Sequence, residues 1–142
     1  LRVVSSALKV VTDLERIGDH ASDIAELILR IRGEHIYHVV RHIPGMAMAA
    51  REMVRSAIDA FISQDITAAK TIEKQDDIVD ELFTKVKNDV IDLLKQSAEH
   101  ADQCIDLLMI AKYLERIGDH AVNVCEWTEF AKTGALKNVR IL

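Results

Sequence analysis

Four acidic or polar residues, Glu115, Asp119, Asn123 and Glu126, fall on one helical face late in the chain. Glu115 and Asp119 are four apart, so at about 100° per residue they lie within roughly 40° of each other. A similar row stands near the start: Glu15, Asp19, Asp23 and Glu26. A third consists of Asp76 and Asp80, with Asp77 and Glu81 beside them at the same spacing. Like charges at this spacing cost about a few tenths of a kcal/mol even in water, and more when they leave it. Two such rows facing each other would gather four or more carboxylates around one place. That donor set suits iron, manganese, magnesium, calcium or zinc. The plainer alternative is a solvated acidic face, with Arg16 and Arg116 pairing the excess charge.

The rows are not independent. Residues 14–21 read Leu-Glu-Arg-Ile-Gly-Asp-His-Ala, and residues 114–121 read the same eight. Each copy carries a glycine, Gly18 or Gly118, in the turn that holds the acidic pair. A glycine inside a helix costs about 1 kcal/mol relative to alanine. Two unfavourable choices repeated together point to a compensating interaction. Either something approaches the backbone closely or the carboxylates hold a cation.

The elements that must position these residues follow from periodicity. One helix spans about Arg2 to Ile31 and stops before Gly33. A His-rich connector with His35, His38 and His42 follows. A second helix opens near Pro44, well placed in a first turn, with the stripe Met46, Ala50, Met53, Ala57, Ile58 and Phe61. A third starts after Asp65 or Thr67, either of which can cap it. Its stripe is Ile72, Val79, Phe83, Val86, Val90 and Leu93, which puts Asp76 at the edge of the core-facing side. There a carboxylate needs a partner. The fourth runs from about Glu99 to Lys132 with the stripe Leu107, Ile110, Leu114, Ile117, Ala121 and Val124, and Gly134 is its stop signal. On the same wheel Asp102 and Asp106 point away from Glu115; His20 and His120 read either as groups that support the carboxylates or, preferably, as helix surface.

This pattern predicts an all-α antiparallel helical bundle with one apolar stripe per helix. Residues 44–134 form a complete three-helix unit, and residues 1–33 are the last helix of an incomplete preceding copy. Residues 34–43 are the connector and 135–142 a tail. The chain thus reads as a piece of something longer, and its first helix is expected to pack its apolar stripe on the three-helix unit or on another chain. The 142 residues are 49% hydrophobic with only 5 Gly and 1 Pro, which fits a helical core rather than a sheet. A net charge of −5 argues against a nucleic-acid surface. Two cysteines, Cys104 and Cys125, make no disulfide framework. No phosphate loop, His-Glu-x-x-His or nucleophile elbow is present. The Glu-x-x-His of di-iron oxidase helices is missing as well, because Gly118 stands three residues after Glu115.

The duplicated Leu-Glu-Arg-Ile-Gly-Asp-His-Ala, preceded by a helix with Asp76-x-x-x-Asp80, resembles the PhoU family of phosphate-transport regulators. The resemblance implies a three-helix repeat and, in some members, a multinuclear iron or zinc cluster. Carried over by motif, the metal positions are Asp76, Asp80, Glu115 and Asp119, with Asn123 as a polar extension. Glu15, Asp19 and Asp23 match in the first copy. It also implies a non-enzymatic cytoplasmic adaptor between a phosphate ABC transporter and a sensor histidine kinase, reaching the membrane through its partners. A homodimer or higher oligomer is expected. The alternatives are a regulator of a sodium–phosphate cotransporter, or a metal-binding bundle without catalysis.

Overall fold

The computed structural model describes residues 1–31 and 41–135, and these form four α-helices. They are α1 (Arg2–Arg30), α2 (Ile43–Ser63), α3 (Ile66–Gln96) and α4 (Ala101–Thr133). The expected boundaries hold within two or three residues. His35 and His38 of the expected connector lie outside the described residues.

Local chemistry sets the ends. Pro44 sits in the first turn of α2, where a missing N–H costs nothing. At the far end Gln64 adopts a left-handed conformation with φ 56°. This turns the chain from α2 into α3 within two residues, and the Gln64 side chain donates to the Phe61 carbonyl at 2.7 Å. Asp65 then caps α3, accepting from the Ala68 N–H at 3.0 Å. Gly134 closes α4 with φ 77°, a value that favours glycine. Its N–H donates to the Phe130 carbonyl at 2.8 Å.

Helices α2, α3 and α4 pack on one another as a three-helix unit, and α1 lies along α4 in the most extensive helix pairing among the described residues. The expected stripes are the core: Met46, Ala50, Met53 and Ala57 of α2, and Ile72, Val79, Val86 and Val90 of α3, are buried. For α4 the expectation of a single stripe is corrected. Its run from Ile117 to Cys125 is buried at every position but Asp119, because α1 covers one side while α2 and α3 cover the other. A helix enclosed on several sides loses its amphipathic signature.

Of the two expected partners for the first helix, the three-helix unit or another chain, the structure shows the three-helix unit, through α4. Part of the α1 apolar surface stays open: Val3, Val4, Leu8, Val11, Ile28 and Leu29 are all exposed. Between α1 and α2, over Leu114 and Ile117, runs an apolar groove of 620 Å³.

Candidate metal centre

Antiparallel packing of α3 on α4 brings Asp76 and Asp80 to Asp119. One carboxylate oxygen from each lies within 4.8 Å of the other two. Oxygens sharing a cation at about 2.1–2.5 Å are separated by distances of this order. The burial is graded: Asp76 is only 4% exposed, Asp119 is intermediate and Asp80 faces solvent. A cation there would have one ligand in the core and an open side toward water.

Gly118 makes this approach feasible. A Cβ built on it would lie 3.0 Å from Asp76 Oδ1 and 3.7 Å from both Met53 Sδ and Val79 Cγ1. The glycine in the acidic turn therefore admits a carboxylate from the facing helix, which is the close-approach alternative of the sequence. Its repeat partner Gly18 has nothing within 4 Å of the corresponding Cβ position.

The other expected positions are distributed differently. Glu115 is held on α4 by Lys112, whose Nζ donates to Glu115 Oε1 and lies 5.2 Å from the Phe83 ring centre. Asn123 is buried and faces α1, donating from Nδ2 to Asp13 Oδ1 at 3.1 Å. Glu15 and Asp19 are exposed on α1. Asp23 Oδ2 stands 3.9 Å from His20 Nδ1. Among the described residues no second acidic helix packs against this first row, since α1 makes its extensive contact with α4. Arg116 is exposed.

One polar site was not legible as a site. Asp13 is 8% exposed, and its Oδ1 meets His120 Nδ1 at 2.9 Å as well as the Asn123 amide. The reading of His120 as surface is corrected: α1 covers that face of α4 and buries it to 3% exposure. His20 stacks on Tyr113 at 5.5 Å and lies 5.6 Å from the His120 ring. The pairs Asp13–His120 and Tyr113–His20 are the same two positions of the repeat exchanged between helices. The α1–α4 seam thus has approximate two-fold symmetry, with Asp on one side and Tyr on the other. Burial lowers the His20 pKa below 6.5, helped by His120 and Arg116 and opposed by Asp23 and Asp19. A signal was available in the spacing Val10–Asp13–Ile17, which puts an aspartate on an otherwise apolar face.

Comparison with known proteins agrees with this architecture. The PhoU domain model matches residues 1–28 and 43–128. The chain is 38% identical over 134 residues to the phosphate-specific transport system accessory protein PhoU homolog of Clostridium acetobutylicum, covering 94% of this chain and 61% of that protein. It is 33% identical over 146 residues to the protein of the same description from Borreliella burgdorferi, covering 98% and 65%. The chain therefore spans less than two thirds of the length of these relatives. Its fold superposes on the crystal structure of the phosphate transport system regulatory protein PhoU from Streptococcus pneumoniae with a TM-score of 0.90 at 27% identity, covering 98% of this chain and 66% of that one. PhoU from Pseudomonas aeruginosa gives 0.89 at 29% identity, covering 95% and 65%. A duplicated acidic helix, a facing Asp-x-x-x-Asp helix and a domain match across most of the sequence lead to one conclusion: the chain belongs to the PhoU family.

Proposed function

We propose that this chain acts in a regulator of phosphate uptake, a cytoplasmic adaptor between a phosphate ABC transporter and a sensor histidine kinase. In this reading Asp76, Asp80 and Asp119 hold a multivalent cation, iron or zinc by the family resemblance, with manganese, magnesium and calcium compatible with the oxygen donors. The observation that carries it is the convergence of three carboxylates from two helices beside a glycine that makes room for one of them. A bound cation supplies positive charge that offsets the carboxylates' mutual repulsion. The residues do the rest: Asp76 and Asp80 fix the site to α3, and Asp119 ties it to α4. That link stiffens the pair of helices that would present a docking face. The relatives are named accessory or regulatory proteins of phosphate transport, which supports a role exercised through contacts rather than catalysis. No described helix is long and apolar enough to cross a membrane, in keeping with membrane association through partners.

The test is affinity purification of the full protein from cells grown at high and at low phosphate. The expected result is recovery of phosphate transporter components and a histidine kinase, with recovery dependent on phosphate and reduced in Asp80→Asn/Asp119→Asn. Recovery of neither component at either phosphate level would contradict the adaptor role. Equal recovery with the double variant would separate the acidic site from docking.

A further inference from the structure

Beside the three aspartates, the α3–α4 junction holds a positive charge of its own. Glu115 lies one turn before Asp119 on α4, and Lys112 lies almost one turn before Glu115. The Lys112 ammonium stands over the ring of Phe83, which follows Asp80 by three residues on α3. From there Lys112 Nζ donates to Glu115 Oε1. An ion pair of this spacing is usually a solvated surface pair of small consequence. Here the two ends differ: the Glu115 side chain is 16% exposed and that of Lys112 40%. The carboxylate is set into the junction, while the ammonium borders water.

Residues four apart on a helix have Cβ atoms about 5–6 Å apart, so Glu115 is within a side chain's length of Asp119. Two cations can claim its carboxylate. One is the ammonium of Lys112, with a single charge. The other is a multivalent cation shared by Asp76, Asp80 and Asp119. Attraction scales with charge, and an ammonium that already borders water hydrates strongly when released. We infer that Lys112 is a built-in competitor for the acidic site: on cation loading Glu115 changes partner from Lys112 to the cation, and the Lys112 ammonium is freed at the bundle surface. This rests on the cation reading of Asp76, Asp80 and Asp119 and adds its regulation. Occupancy of a partly buried site becomes a positive charge that a partner protein can meet.

The test is acetic anhydride labelling of the chelator-treated full protein with and without Zn²⁺, with Lys112 followed by peptide mass spectrometry and Zn²⁺ affinity measured by calorimetry. In the wild type, Lys112 acetylation is expected to rise severalfold on loading. In Glu115→Gln it should be high from the start and indifferent to Zn²⁺. Lys112→Met should bind Zn²⁺ severalfold more tightly than the wild type, the scale of a partly exposed ion pair. That gain should vanish in Lys112→Met/Glu115→Gln, because the effect passes through Glu115. Zn²⁺ binding with Lys112 labelling unchanged, or an equal gain from Lys112→Met in both backgrounds, would overturn this inference and leave the cation site standing. Absence of Zn²⁺ binding in both the wild type and Lys112→Met would overturn the cation reading itself, and this inference with it.

Discussion

Asp76 is a carboxylate on α3 where the same side otherwise carries Ile72 and Val79, and its 4% exposure follows from that register. It was legible because an acidic residue interrupted a run of threes and fours. His120 was not, since its burial depends on which side of α4 receives α1, and no spacing within α4 encodes that. The two histidines now give a prediction with a definite sign. His20 is held below 6.5 by burial first and by His120 next. The folded state therefore prefers it neutral, the unfolded state takes up the proton first, and its contribution to stability is present above pH 6.5 and lost as pH falls through the folded value. Imidazole titration by NMR should place His20 below 6.5, and His120→Gln should move it upward. A His20 midpoint unmoved by that change would remove the coupling. Cys125, raised to about 12 and fully buried, should resist iodoacetamide at pH 8 in native protein and react only on unfolding.

At the scale of the elements, the repeat supplies a matched pair of experiments. Gly118→Ala must push Asp76 aside, since the new Cβ would sit 3.0 Å from its Oδ1. The helix gain of about 1 kcal/mol should be offset or exceeded, and cation affinity should fall. Gly18→Ala meets nothing within 4 Å, so in this 142-residue chain it should stabilise by roughly 0.5–1 kcal/mol. Denaturant midpoints that rise equally for both would show that Gly118 is not a packing requirement. The α1–α4 seam yields a second expectation. Asp13→Ala removes the acceptor of two buried donors, His120 and Asn123, and should cost about 2–4 kcal/mol. A loss below 0.5 kcal/mol, taken as a rough limit for surface changes, would show the network to be incidental. Helix positions themselves were readable from Ile72–Val79–Phe83 and from Pro44, Asp65 and Gly134, because local patterning and capping determine them. The multi-sided burial of α4 was not, since it arises only when α1 and the α2–α3 pair are laid on the same helix.

Across the described residues, an acidic chain folds into a helical bundle in which α1 packs along α4 beside the α2–α3 pair. The duplication at 14–21 and 114–121 made the repeated helix visible in the sequence, but not that its two copies would pack on each other. It did not show that the carboxylates at the two glycines would have different fates. Asp119 meets Asp76 and Asp80 across α3, whereas the described residues set no second acidic helix against Asp19. Elemental analysis of the purified full protein, before and after loading with iron or zinc and alongside Asp80→Asn/Asp119→Asn, measures the consequence directly. The account predicts retained metal and a higher melting temperature on loading for the wild type, with both lost in the double variant. Equal metal content in the two proteins, or a wild type that neither retains metal nor gains stability from it, would contradict it.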